Sequence, residues 1–205
     1  MKKIALTSLL TVFAVSAASA ATTPYVAAHV GYDTPGLINY ENHEHMAEYF
    51  TSNNDFAYDL SIAGGVKHDL NQAFAVRGEL EFDYMGGFVG HYKDGLDQAD
   101  FRVHSYTALA NAYLDIKTLT PLTPYVGAGL GYQWSHFAIP DQEALKPHGL
   151  AWQFGAGVSY ALNSNLSLDL GYRYLASIDK ENEEDVTSKW KIENHQFRLG
   201  AAYAF

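Results

Sequence analysis

Serine stands beside histidine twice in this chain, as His104-Ser105 and Ser135-His136, and a hydroxyl next to an imidazole is the usual start of an acyl-transfer site. Such a site needs the base within hydrogen-bond reach of the nucleophile and a carboxylate behind the base. Neighbours on a strand point to opposite faces, so neither dipeptide can do this alone, and only a cross-strand arrangement would leave hydrolysis open. A second group is Asn42-His43-Glu44-His45. His43 and His45 occupy alternate positions and could face one zinc or copper ion, but two ligands without a third make a weak site. Solvated loop residues are the simpler account. The absence of cysteine removes thiolate metal sites, cysteine nucleophiles, disulfides and lipoprotein anchoring. The chain is therefore expected to need no metal or cofactor and to be no enzyme.

The elements that would position these residues show a period of two. In Leu166-Ser167-Leu168-Asp169-Leu170-Gly171-Tyr172-Arg173-Tyr174 the apolar side chains share one face and the small or charged ones the other. Residues 74–84 and the last nine residues repeat the pattern. Eight strands are predicted, at 24–33, 56–68, 73–86, 101–116, 123–137, 149–162, 166–177 and 190–205. Their connections alternate between short turns rich in turn-forming residues and four long polar loops, 34–55, 87–100, 138–148 and 178–189. Two stretches free of charge, 118–140 and 149–168, are broken by proline, glycine and polar residues and do not read as spanning helices.

The first twenty residues read differently. Lys2 and Lys3 precede an apolar run, Ile4–Val15, and Ala18 and Ala20 form the small-residue pattern of a cleavage site. Twelve residues are too few to cross a membrane that needs about 20. Residues 1–20 are thus expected to be a cleaved signal peptide for Sec export, and 21–205 the folded domain. An all-β, eight-stranded antiparallel up-and-down transmembrane β-barrel with four long extracellular loops follows from strand length and loop alternation. A soluble barrel would also alternate. Two girdles of aromatics on the apolar face weigh against it: Tyr32, Tyr58, Tyr84, Tyr106, Trp134, Trp152 and Tyr172 near the long loops, and Phe74, Tyr160, Tyr203 and Phe205 near the short turns. No charged residue interrupts the apolar face between them.

The other face becomes the lumen, and it carries Asp59, Lys67, Arg77, Glu79, Glu81, Asp83, Asp115, Asp169, Arg173 and Arg198. Eight strands leave an interior that side chains can just fill, so these charges must pair. Arg77, Arg173 and Arg198 are expected to form a network with Glu79, Glu81 and Asp169. Ala63, Gly65, Gly127, Gly129, Gly131, Gly155 and Gly157 share that face. They would make room for long side chains opposite or, alternatively, line a thin wet channel.

The segment Leu168–Tyr174 with the final Phe205, and Pro124-Tyr125-Val126-Gly127-Ala128-Gly129-Leu130-Gly131-Tyr132, resemble the last hairpin and the fifth strand of small outer-membrane barrels of the opacity-protein group, the Opa and NspA-like family. The resemblance implies residence in the outer membrane of a Gram-negative bacterium, among its lipids and lipopolysaccharide. It also implies that Tyr203 and Phe205 serve the barrel-assembly machinery as its recognition signal. In that family the long loops bind host receptors or glycans, while in other small barrels they are structural, and some small barrels modify lipid A. A structural or surface-interaction role is expected, with an adhesin, a small passive channel and a lipid A-modifying enzyme as alternatives.

Charge agrees with this arrangement. The formal net charge of −10 and pI near 5.2 exclude a nucleic-acid binder. Acidic residues concentrate in the expected loops, as in Asp179, Glu181, Glu183, Glu184 and Asp185. The mean hydropathy of −0.15 then averages an apolar exterior with a charged lumen.

Overall fold

The computed structural model describes residues 22–35, 39–42, 45–48, 57–94, 97–138, 144, 146–183 and 186–205, so the expected signal peptide lies outside the described residues. Ten strands follow one another: β1 (Thr22–Pro35), β2 (Asn39–Asn42), β3 (His45–Glu48), β4 (Ala57–Asp69), β5 (Phe74–Asp94), β6 (Asp97–Ile116), β7 (Leu122–Ala138), β8 (His148–Ala161), β9 (Leu166–Glu183) and β10 (Val186–Ala204). The eight long ones pair antiparallel in the order β1-β4-β5-β6-β7-β8-β9-β10, and β1 closes the ring against β10. That seam runs from Tyr25 opposite Ala204 to Pro35 opposite Asn194. Closure leaves no free sheet edge in the wall, which a structure surrounded by hydrocarbon requires.

The alternation read from the sequence sets the faces. Leu130 and Leu150 are 72% and 71% exposed on the outside, whereas Asp59, Asp83 and Gln196 are 0% exposed on the inside. This inversion of the ordinary distribution is stable only where the outside solvent is lipid. A one-residue slip in any strand would turn its charges outward, so the pattern also fixes the register. Tyr32, Tyr58, Tyr106, Trp134 and Tyr172 stand exposed on the outward face near the extracellular end, and Phe74, Tyr160, Tyr203 and Phe205 near the other. Neighbouring rings touch along the first belt, as Tyr84 and Tyr106 do at 5.1 Å between centroids.

Two short turns are closed by asparagine side chains. Asn71 Oδ1 accepts from the amides of Ala73 and Phe74 at 2.8 and 2.9 Å, and Asn163 Oδ1 does the same for Asn165 and Leu166 at 2.9 and 2.8 Å. These side chains substitute for a backbone acceptor and hold each hairpin at minimal length. Lys117 in the third turn ties two hairpins together through Asp69 at 2.9 Å.

The wall is taller than expected at the loop end. Strands were expected to stop near 86 and begin near 101, yet β5 reaches Asp94 and β6 starts at Asp97. Likewise β9 and β10 continue to Glu183 and from Val186. The expected loops 87–100 and 178–189 are therefore mostly hairpin, because backbone pairing continues where no lipid demands an apolar side chain. Within 34–55, β2 and β3 form a small hairpin whose first strand adds to β10 at Lys189–Lys191. At the base of the β5–β6 extension the register shifts: Met85 faces Ser105 but Phe88 faces Val103. Gly87, at φ 79°, supplies the backbone conformation this bulge needs.

Candidate functional site

The lumen holds two charged layers. The upper one is built on β4, β5, β9 and β10. Arg173 donates from Nη1 to Glu81 and from Nη2 to Asp83, each at 3.0 Å, and its Nε donates to Gln196. Arg198 meets Asp59 at 3.1 Å and Glu81 at 2.6 Å, approaches Asp83 at 3.9 Å, and donates to Ser61. Gln196 in turn donates to Asp33 at 3.0 Å. Glu81, Asp83 and Asp59 each lie within ion-pair distance of a guanidinium, these three and both arginines are buried, and the buried Asp33 is met by the neutral Gln196 amide. In so dry a place unpaired ions would cost several kcal/mol apiece, so the pairing is what permits the burial.

The lower layer is separate. Arg77 donates from Nε to Asp115 at 2.8 Å, and Lys67 approaches the other oxygen of that carboxylate at 3.2 Å. The Arg77 guanidinium lies 4.7 Å from the ring centres of both Tyr113 and Tyr125, which stand edge to face at 89°. Glu79 accepts from the Tyr25 hydroxyl, and Asp169 from that of Tyr125, both at 2.8 Å. Asn111 links the two layers, donating to Glu81 at 2.8 Å and to Glu79 at 3.4 Å while accepting from Gln153 at 3.0 Å.

The six residues expected to form one network thus divide. Arg173, Arg198 and Glu81 come together, with Asp59 and Asp83 as further partners. Arg77 pairs with Asp115 instead, and Glu79 and Asp169 are held by tyrosine hydroxyls. The reason is height. Glu81 lies four positions beyond Arg77 on β5, about 13 Å along the strand at ~3.3 Å per residue. Parity tells which side chains enter the lumen, but only tilt and register tell which of them meet. The neutral members Tyr25, Asn111, Gln153 and Gln196 carry no charge to single them out in the sequence, although the same parity points them inward.

The small residues make way for large ones. A Cβ on Gly127 would sit 2.1 Å from the Tyr113 ring, and one on Gly157 would sit 2.4 Å from the Tyr125 hydroxyl. Between the layers lies a cavity of about 40 Å³, with His29, Glu79 and Arg173 among its walls, enough for a few water molecules. Below it a polar vestibule of about 340 Å³, bounded by Lys67, Asp115 and Lys117, lies at the short-turn end.

The serine–histidine pairs separate as strand geometry requires. Ser105 and Ser135 point inward and lie 3.1 Å apart, while His104 and His136 are on the outward face. Inside, Ser61 Oγ is 3.2 Å from His29 Nδ1, and His29 Nε2 is 4.0 Å from Asp169. This order resembles a triad, but Ser61 is 5% exposed and already accepts from Arg198, so the hydroxyl is a structural partner of the upper layer. Of the two loop-one histidines, His43 lies outside the described residues and His45 contributes backbone to β3. Among the described residues no group of three or more His, Asp or Glu is placed to hold a metal ion. Tyr203 and Phe205 pack edge to face at 5.3 Å on the outward rim of the short-turn end.

Known proteins share this architecture. The family model for the outer membrane protein beta-barrel domain matches residues 5–205. An uncharacterized protein of Brucella suis biovar 1 is 30% identical over 190 residues, covering 74% of this chain and 66% of its own length. The chain thus spans just under two thirds of that relative. The outer membrane protein PagN of Salmonella typhimurium is 28% identical over 174 residues, covering 70% of this chain and 73% of PagN. Among solved structures, Neisserial surface protein A superposes with a TM-score of 0.56 at 21% identity, covering 89% of this chain and 97% of that one.

Proposed function

This chain belongs to the outer membrane protein β-barrel family and resides in the Gram-negative outer membrane, among its lipids and lipopolysaccharide, and from that premise we propose that its work is done outside the barrel. It is a non-enzymatic surface protein that supports the envelope and interacts through the extracellular loop regions 34–55, 87–100, 138–148 and 178–189. The observation that carries this reading is the upper layer of the lumen. Its buried arginines and carboxylates close the interior as an ion-paired plug, and a plugged eight-stranded barrel has its walls and rims left to act with. The rim is well developed: β5–β6 and β9–β10 continue as paired hairpins and β2–β3 adds to β10. Paired backbone carries these projections beyond the belt, where surface segments present binding residues.

An Opa-type adhesin is the particular form of this reading, with a host receptor or surface glycan as partner. The test compares a deletion strain, the wild type, and a strain whose barrel carries short turns in place of residues 87–100 and 178–189. Loss of host-cell attachment with intact antibiotic exclusion in the short-turn strain supports surface binding. Attachment unchanged in both altered strains overturns it, and loss of exclusion in the deletion strain alone assigns the role to the envelope. Tyr203 and Phe205 complete the proposal as the signal read by the barrel-assembly machinery, supported by their exposed positions on the outward face of the seam strand. Phe205→Ser should then lower the amount of folded protein in the outer membrane without changing its synthesis.

A further inference from the structure

The outward face of β6, β7 and β8 carries a basic patch that neither the lumen nor the aromatic belt explains. His104 on β6 lies directly opposite His136 on β7, and Arg102 lies directly opposite Ala138. On the next strand His148 lies opposite Trp134. Arg102 and His148 are exposed, and His104 and His136 partly so. All four stand on the extracellular side of the belt residues of their own strands, Tyr106, Trp134 and Trp152.

Charge sorting makes the patch distinctive. Over Arg102–Ile116, Leu122–Ala138 and His148–Ala161 the outward positions contain no Asp or Glu, in a chain of net charge −10; the nearest acidic residue of that parity on β6 is Asp100, one such position above Arg102. The imidazole of His104 is also aimed. It stacks on Tyr84 with planes 12° apart, and the Tyr84 hydroxyl lies 3.2 Å from Nδ1. In the tautomer protonated at Nε2 the phenol donates to Nδ1 and Nε2 is left as a donor. A partner holding the far nitrogen orients an imidazole in the way outer partners orient metal-bound histidines.

Aromatic belts mark the edge of the hydrocarbon, and the layer just beyond it in the outer leaflet is where lipid phosphates lie. We propose that Arg102, His104 and His136 form a binding site for a phosphate group on the headgroup of lipopolysaccharide, flanked by His148. Arg102 supplies a permanent charge and a planar fork, and the two imidazoles supply donors beside it, a combination suited to phosphate oxygens. The site rests on the outer-membrane orientation given above and on no property of the loops. His195 provides an internal comparison: it is also outward and held by a tyrosine, Tyr172 at 2.7 Å, but it faces Tyr174 and Thr34 across its strands and has no basic cross-strand neighbour.

The test uses the whole barrel in phosphatidylcholine nanodiscs supplied with bisphosphorylated lipid A, with dephosphorylated lipid A, or with inorganic phosphate alone. Lipid A retained per barrel is measured by mass spectrometry. The wild type should retain the bisphosphorylated form, and R102S/H104Q/H136Q should retain about tenfold less, a change of ~1.4 kcal/mol. His195→Gln should behave as the wild type. Equal retention of dephosphorylated lipid A, or undiminished retention by the triple variant, overturns the proposal. Full competition by millimolar inorganic phosphate overturns the lipid as its source. If the triple variant does not show heat-modifiable migration, Arg102→Ser alone carries the test, since its side chain is exposed. Cell fractionation and heat-modifiable migration of the wild type report membrane residence separately, so failure there is distinct from failure of the site.

Discussion

Replacing Arg173 by methionine tests the physics of the plug most directly. Arg173 is 4% exposed and contacts Glu81, Asp83 and Gln196. Methionine keeps much of the volume but none of the donors. Glu81 retains Arg198 at 2.6 Å, whereas Asp83 is left with the same guanidinium at 3.9 Å, beyond hydrogen-bond length. The loss is thus one buried carboxylate stripped of its main partner, plus an unpaired acceptor on Gln196. Breaking a buried pair from one side costs about 3–5 kcal/mol. Urea unfolding of the barrel in lipid vesicles, followed by tryptophan fluorescence, should show that loss, and the heat-modifiable gel transition should move to lower temperature. Adding Asp83→Leu should recover most of it, because the orphaned charge goes with its partner. A loss under about 1 kcal/mol for Arg173→Met, or losses that simply add in the double variant, would refute the view that these charges are coupled and desolvated.

Other outcomes follow from the same geometry. Gly127→Val should destabilise the barrel by about 1–3 kcal/mol in the same assay, because the added carbons meet a Tyr113 ring already fixed against Arg77 and Tyr125. Gly87→Val should cost about 1–3 kcal/mol through its φ of 79° and should leave the lower barrel unchanged by hydrogen exchange. In planar bilayers the wild type should show no large, stable open state; steady conductance of porin size would overturn the plug.

Which side of the wall each residue occupies was legible from alternation alone. Leu168, Leu170 and Tyr172 go outward and Asp169 and Arg173 inward because a strand has only two faces. What alternation lacks is a vertical coordinate. Asp59 and Asp83 were recognised as lumenal, yet their meeting with Arg198 and Arg173 depends on how β4 and β5 are staggered against β9 and β10. The heights of β5 and β6 were missed for a different reason. Above the belt, Gly90-His91-Tyr92-Lys93-Asp94 has no apolar face to contrast with a polar one, so pairing continues without a signal in composition. The bulge did leave a mark, the Gly86-Gly87 pair at the end of an otherwise regular strand.

The upper layer has a consequence for the order of events in biogenesis. Its cations sit on the last two strands and its anions on the second and third of the barrel: Arg198 reaches Glu81 across 117 positions of sequence and Arg173 reaches it across 92. No hairpin contains both partners, so partly built walls hold these ions unmatched. The charges neutralise only when the late strands swing round to the early ones. The lumen thereby checks its own completion: an unclosed sheet remains electrically expensive to leave in the bilayer, and the finished cylinder becomes hard to reopen.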